Sequence, residues 1–478
     1  MNNDNGTPTA QIANSMSKWF LVCTFICMAF ITLMPNRDLF FIHNVWHIKV
    51  SIFVVDILAG GAFIYYRYRR RNMSDVSFKS LIMQSWPIFF FAAVNIGYLF
   101  WAYFHASAAP FGRVGNSKYW GNYLITLVAL PASFTLGYLN RKNGEKYVPL
   151  FLFIVTAVSL AAGLFQAAAA MGYPNMVADG IRAMNKLTSS AIGVWNPGPS
   201  EPFRATGLET YPGYYAFPMI FIVAWTLSAK KAQRFRVTVF LMASAVILIS
   251  GSRAALVGYL VVLIARGFQG IKSGKEGHGL RNRRALIALV SLAAVVLSIG
   301  IGYMTINNLG PFARPEVPQS EIKNVLAGGK SSENAASSIL STLSSGRTDL
   351  WAQIIPLIAQ HPLGSGYQIA VVLNRAHAHN DFLNLWFWGG PFLVIPWIIV
   401  LVWLYGFTKK TSAPRLGGLI VFGTLGAGMF DVFFAGAPVM ALALFLLGMM
   451  VIPKVGTEER STEISSQVPF DSIPKERS

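Results

Sequence analysis

The chain has 478 residues, of which 12% are charged and 54% hydrophobic, and its mean hydropathy is +0.48. A soluble protein carries roughly a quarter charged residues, so this composition excludes a soluble enzyme and implies a membrane protein. A net charge of +19 in a soluble chain would raise the question of nucleic acid, but the placement of the charge answers it otherwise.

The first 18 residues are polar, with Asp4 and Lys18 their charges. No small-residue cleavage site follows the first apolar stretch, so the pattern predicts an uncleaved first helix and no removed signal peptide. A helix needs about 20 apolar residues to cross the hydrocarbon, somewhat fewer when neighbours or tilt help. Twelve such stretches are expected, at 19–35, 48–66, 81–104, 119–139, 147–171, 213–229, 237–250, 254–265, 285–306, 390–407, 416–434 and 438–452. The fold class expected is therefore an all-α integral membrane protein of about twelve transmembrane helices. Cys23 and Cys27 lie inside the first span and read as small apolar residues.

With the odd-numbered connections outside, the inner loops collect the basic clusters around Arg67–Arg71, Arg141–Lys146, Lys230–Arg236, Arg266–Arg284 and Lys409–Arg415. This is the positive-inside pattern, and it places both termini in the cytoplasm. The runs fall at every second helix end and not on one face, which excludes a nucleic-acid partner. One polytopic domain is expected over 19–453, after a cytoplasmic tail at 1–18 and before a disordered cytoplasmic tail at 454–478, with no internal repeat.

Two external connections, about 172–212 and 307–389, exceed the length of ordinary loops and are where chemistry is expected. The first half of the second is Pro/Gly/Ser-rich. Its second half, SSGRTDLWAQIIPLIAQHPLGSGY, offers Ser344 or Ser345 as N-cap, Asp349 in the first turn and apolar residues at helical spacing before a Pro/Gly stop. A short external helix near the membrane surface is predicted there.

Because most positive charge is drawn inward, the external arginines stand out. Arg253 in SGSRAAL and Arg347 in SSGRTDLW each fall at a helix N-terminus, where free N–H groups, the positive dipole end and a guanidinium fork together suit a phosphate or diphosphate. Either alone reads equally well as a snorkelling or paired arginine. Arg204, in EPFRATGLETYPG, is a third, for which an ordinary loop charge paired with Glu201 or Glu209 is the plainer reading.

The stretch RAHAHNDFLNLWFWGG at 375–390 sets titratable groups against a membrane helix. His379 falls where the loop meets that helix, with Asn380 or Asp381 as cap, so its imidazole sits at the interface and can act as a general base near neutral pH. His377 would share its face if the approach is extended, and His377 and Asn380 are supporting candidates; sequence does not choose between the two histidines as base. A metal site is the alternative, but no dense carboxylate or Cys cluster accompanies the pair, so no metal or other cofactor is expected. Asp56 and Asp431 are ionisable residues inside spans two and eleven, without an assigned role. No G-x-S-x-G, Walker or dinucleotide motif occurs, so an activated donor already in the membrane must drive any reaction.

RATG before a span, SGSRAAL opening one, SGRTDLW with HPLGSGY, and HAHNDFLNLWFWGG follow in that order. The series resembles the O-antigen ligase and polymerase superfamily of bacterial envelope glycosyltransferases, over about residues 200–395. The resemblance implies a GT-C-like, metal-independent transferase in the bacterial inner membrane with its active site on the periplasmic side. Its partners would be a glycan donor on undecaprenyl diphosphate, a glycan or lipid A core acceptor, the bilayer and polysaccharide assembly proteins. By that analogy Arg253 and Arg347, with Arg204, would hold the diphosphate and His379 would activate the acceptor hydroxyl. Where the family often has an acid before the final glycines, this chain has Phe387 and Trp388. The family also includes protein O-oligosaccharyltransferases. A flippase or transporter of lipid-linked or anionic sugars is the competing class; it would place its binding groups near mid-membrane, whereas the candidates here gather on one side.

Overall fold

The computed structural model describes residues 8–33, 40–42, 46–48, 78–105, 117–141, 144–170, 204–208, 211–228, 235–272, 347–365, 378–407, 413, 415–431 and 437–451. The expected spans at 48–66 and 285–306, Asp56, His377, the Ser344/Ser345 cap and the tail at 454–478 lie wholly or mainly outside them, whereas most of the tail expected at 1–18 falls in the first helix. The described helices are α1 (Pro8–Leu33), α2 (Phe78–His105), α3 (Ser117–Leu139), α4 (Gly144–Ala170), α5 (Pro212–Ser228), α6 (Arg236–Ser250), α7 (Arg253–Lys272), α8 (Arg347–Gln360), α9 (Asp381–Gly389), α10 (Pro391–Phe407), α11 (Leu416–Gly428) and α12 (Ala437–Met449). One antiparallel ribbon, β1 (Phe40–Ile42) with β2 (Trp46–Ile48), accompanies them, Phe41 opposite His47. Apart from that ribbon the described chain is helical.

The helices follow the apolar stretches and differ at several ends: α1 begins at Pro8, well before residue 19, and α7 runs on to Lys272. Span eleven ends early: α11 stops at Gly428, and Met429, Phe430 and Asp431 close a tight turn onto Leu425 and Ala427 at 3.0–3.1 Å. Asp431 therefore sits in a turn beyond the helix and not inside a span. The approach to span ten is a helix of its own. Gly390, at φ 54°, breaks α9 from α10, and Pro391 restarts the chain at the first helical position, where its missing N–H costs nothing.

Outward faces are apolar. On α10, Phe392, Ile395, Ile398, Val402 and Tyr405 are exposed; on α4, Leu150, Ile154, Val158 and Phe165; on α2, Trp86, Phe89, Phe90 and Trp101. Stripes at three- and four-residue spacing that face outward invert the soluble pattern and match a lipid surround. Leu81–Tyr98 and Lys146–Ala168 are each long and apolar enough to cross a membrane, and the other apolar helices are shorter. Inside, Thr24, Thr32, Ser85, Asn95 and Thr156 return their side-chain hydrogen bonds to the carbonyl four residues back, as buried polar groups must.

Lipid supplies no hydrophobic drive between helices, so close backbone approach matters. At the α3–α12 contact, a Cβ on Gly448 would lie 2.7 Å from Tyr138 N, and one on Gly137 would lie 3.0 Å from Met449 N. At the α7–α11 contact, a Cβ on Gly258 would stand 3.0 Å from both Gly423 O and the Ala427 Cβ. That second contact sets where α11 delivers Asp431. Gly448→Val should cost about 1–3 kcal/mol by overpacking, read as a lower unfolding midpoint in detergent. Gly97→Ala, where nothing lies within 4 Å of the new Cβ, should leave the midpoint unchanged or slightly raised.

Candidate active site

His379 is the one non-glycine residue with positive φ among the described residues, at 48°. Non-glycine residues held there cost free energy and persist where the surroundings over-determine them. The surroundings are specific. Asn380 caps α9 with Oδ1 accepting from Leu383 N at 3.0 Å, and its Nδ2 donates to Met429 O at 3.3 Å. On the other side Ala378 is buried against Leu350, Ile354 and Phe387, and its carbonyl accepts from Trp351 Nε1 at 2.8 Å. The left-handed turn between these anchors directs the imidazole toward the end of α11, where Nδ1 meets Asp431 Oδ1 at 3.1 Å. The histidine side chain is 35% exposed and the aspartate 6%, so a buried carboxylate backs an accessible imidazole.

Asp431 has a second partner, Tyr211, whose hydroxyl donates to Oδ2 at 2.9 Å. Tyr211 is 38% exposed as a whole residue, yet its hydroxyl end is withdrawn beside the carboxylate. Burial first, then the Asp431 charge, raise its pKa far above the ordinary phenol value, with Arg347 acting in the opposite direction. Tyr211 is thus a fixed donor at working pH and not a base. The Arg347 charge is thus felt at the Tyr211 hydroxyl. Arg347 opens α8, as expected, and its Nε is buried with no hydrogen-bond partner among the described residues. A buried guanidinium N–H favours an acceptor oxygen nearby.

Arg253 opens α7 after a sharp reversal. Gly251, at φ 59°, ends α6 with its N–H on Leu248 O at 3.2 Å, and Ser252 Oγ accepts from Ala255 N at 3.3 Å, capping α7. Arg204 comes to this reversal through its neighbour: Ala205 N donates to Ile249 O at 3.1 Å. Gln166 of α4 holds the same loop. Its Oε1 accepts from Thr206 N and Gly207 N, both at 2.8 Å, while Nε2 donates to Gly207 O at 2.9 Å and Thr206 Oγ1 at 3.1 Å. The segment that carries Arg204 is thus bonded to the end of the helix that precedes Arg253, while Tyr211, Asp431 and His379 form a second group.

Phe387 and Trp388, which replace the acid seen in relatives by resemblance, are buried. Phe387 O accepts from Ser365 N at 2.8 Å and Oγ at 2.7 Å, and Trp388 O from Tyr98 Oη at 2.7 Å. They anchor α9 and bring no charge. Asp381, buried at the first turn of α9, sets its carboxylate against Gly428, where an added Cβ would come 2.6 Å from Oδ2. Among the described residues no three His, Cys, Asp or Glu side chains converge as metal ligands. Tyr211, Asp431 and Gln166 went unassigned from sequence; each lies at the external end of its span in the topology derived from charge, which is the signal that relates them to His379.

Residues 237–398 match the family model described as O-Antigen ligase. That stretch, about a third of the chain, is similar to the O-antigen ligase family. The matched segment runs from the start of α6 into α10 and contains Arg253, Arg347, His379 and Asn380; Gln166, Arg204, Tyr211 and Asp431 lie outside it. No curated protein matches the chain. Members of the O-antigen ligase family are bacterial membrane-embedded glycosyltransferases, ligases and polymerases, which agrees with the apolar outward faces.

Two outcomes follow from the contacts. Asp431→Asn should cut transfer strongly with the protein still inserted and folded, whereas Tyr211→Phe, which leaves the His379 contact in place, should be milder; rates of the purified variants decide it, and equal losses would contradict the dyad. Gln166→Leu strands two buried N–H donors at about 1–3 kcal/mol each, and Gln166→Glu keeps an acceptor oxygen for both of them while losing the amide donor. Unfolding midpoints should fall in the order wild type, Gln166→Glu, Gln166→Leu.

Proposed function

We propose that the protein moves a glycan from undecaprenyl diphosphate to a sugar hydroxyl at the periplasmic face of the bacterial inner membrane, as an O-antigen ligase or a polysaccharide polymerase. The observation that carries this reading is the His379–Asp431–Tyr211 cluster, at which the Arg347 charge is felt and Arg347 Nε is buried with no partner among the described residues.

In the proposed reaction the acceptor oxygen attacks the anomeric carbon, the bond from that carbon to the diphosphate oxygen breaks, and the hydroxyl proton passes to His379. With Nδ1–H directed at Asp431, the other ring nitrogen, Nε2, is the basic one, and the carboxylate stabilises the imidazolium as it forms. Such a base contributes roughly 10²–10⁴-fold. The strained backbone at His379 and the double anchoring of Asp431 hold the ring in place before substrate arrives, which is how an oriented group lowers a barrier. The leaving diphosphate gains charge, and Arg253 and Arg347 at helix N-termini, with Arg204 on the clamped loop, are suited to take it up in the role a metal ion plays elsewhere.

His377 is proposed as a supporting residue only, and Asn380 as the cap that sets the angle of His379. In this reading 19–453 is one membrane domain with both termini cytoplasmic and the long loops about 172–212 and 307–389 external. The cluster at one end of the helices favours the transferase over a transporter, which would bind at mid-depth.

Arg253→Lys and Arg347→Lys keep the charge and lose the bidentate fork. Each should impair transfer from a lipid-linked donor by purified protein in nanodiscs, EDTA should leave the wild-type rate unchanged, and periplasmic reporters fused after 190 and 330 should be active. Normal rates in both Lys variants, or cytoplasmic reporting at 190 and 330, would overturn the proposal. The acceptor class is read from the product: polymer transferred to lipid A core for a ligase, lengthened lipid-linked chains for a polymerase.

A further inference from the structure

Tyr211 serves the cluster as a hydrogen-bond donor, and that role alone does not explain where its ring lies. The hydroxyl reaches inward to Asp431 Oδ2 at 2.9 Å, yet the residue is exposed, so what it presents outward is aromatic surface. An aromatic of the membrane interface is oriented the other way, its apolar body in the bilayer and its polar tip toward water. Tyr211 turns its polar tip into the protein.

The ring is also fixed. Its Cε1–Cδ1 edge lies against α5 at Gly213, where an added Cβ would come 2.6 Å from Cε1 and 3.0 Å from Cδ1. Tyr214 meets it edge to face, with ring centroids 5.6 Å apart and planes at 65°. Tyr214 is in turn perpendicular to Phe217, which is buried in the core, with centroids 6.4 Å apart. The exposed ring is thus buttressed from the core outward, and glycine at 213 leaves room for it. It also stands beside the base: Asp431 binds Tyr211 through one oxygen and His379 through the other, so a single carboxylate separates phenol from imidazole. That carboxylate is buried while both of its partners are accessible.

The face of an aromatic ring is the negative side of its quadrupole. One face of a pyranose presents C–H hydrogens of slight positive charge, so the two surfaces stack. A tyrosine has only two side-chain torsions to order, and here both are held before any ligand arrives, so the contact costs little entropy on binding. We propose that Tyr211 is a sugar-stacking platform: the exposed surface of its ring packs on a pyranose of the bound glycan and sets that sugar's tilt at His379. The inference rests on the glycosyl-transfer reading and deepens it, giving Tyr211 a part in binding that is separate from its hydrogen bond to Asp431. The sugar next to the diphosphate and a sugar of the acceptor share the C–H face that the ring recognises.

Two substitutions separate ring from hydroxyl. Tyr211→Phe keeps the aromatic face, still seated on Gly213 and Tyr214, and Tyr211→Leu removes it. Affinities are measured in nanodiscs on the His379→Ala background, so that no transfer occurs, for undecaprenyl diphosphate, for the same lipid carrying the glycan of the source bacterium, and for its lipid A core. Tyr211→Leu should weaken binding of a sugar-bearing ligand by about tenfold, Tyr211→Phe should weaken it far less, and bare undecaprenyl diphosphate should bind all three proteins alike. A loss confined to the lipid-linked glycan assigns the platform to the donor sugar, and one confined to lipid A core assigns it to the acceptor. If Tyr211→Leu does not fold, Gly213→Ala, whose Cβ pushes the ring aside, should show the same selective loss. Equal effects of Phe and Leu at position 211, or a loss as large for the bare diphosphate, would overturn the platform and leave the glycosyl-transfer reading standing. Failure of the parent His379→Ala protein to bind undecaprenyl diphosphate in any form would remove that reading and the platform with it.

Discussion

The contact of His379 Nδ1 with Asp431 Oδ1 at 3.1 Å, reinforced by Asn380 Nδ2 on Met429 O at 3.3 Å, joins two parts of the chain far apart in sequence: the entry to α9 and the turn after α11. Making it requires His379 to adopt a left-handed backbone, Asn380 to bind both α9 and Met429, and α11 to stop at Gly428 so that Asp431 turns out of the bundle. Because the carboxylate is buried, it also requires a second donor, which Tyr211 provides from the base of α5. A buried charge without such partners would be strongly disfavoured, so the site and the fold around it stabilise one another.

The glycine contacts act on the same point from a distance. α11 is drawn against α7 through Gly258, Gly423 and Gly426, and α7 begins at Arg253. The helix that ends at the carboxylate and the helix that begins with a diphosphate candidate are thus held in fixed relation by backbone approach, without long side chains between them. α8 is attached separately, through Trp351 to Ala378 and through the small cluster of Leu350, Ile354 and Phe387. Arg347 therefore rides on an element with its own anchor, and α9 is what couples the two.

Much of this was legible in the sequence. Ten of the twelve expected spans coincide with described helices, Ser252 and Asn380 cap where short polar residues precede apolar runs, and the helix opened by Arg347 stops at its Pro/Gly signal. These are local signals, set by hydropathy and by orphaned N–H groups. Asp431 and Tyr211 were not legible as a pair because nothing local marks them. Apolar residues continue past Asp431, so hydropathy alone extended the span to 434, and the turn that frees the carboxylate depends on packing among glycines. Tyr211 reads as an interfacial aromatic, and Gln166 as one polar residue near a helix end. Their roles come from contacts between segments far apart in the chain, which periodicity does not encode.

The central claim is that a diphosphate donor is held by arginines with its anomeric carbon presented to His379. Its most direct test is an electron cryomicroscopy map of the protein in nanodiscs with a non-hydrolysable undecaprenyl-diphosphate glycan. The account predicts phosphate density within hydrogen-bond reach of Arg253 and Arg347, and the first sugar on the Nε2 side of His379. Phosphates bound at the opposite end of the helices, or a first sugar remote from His379, would contradict it.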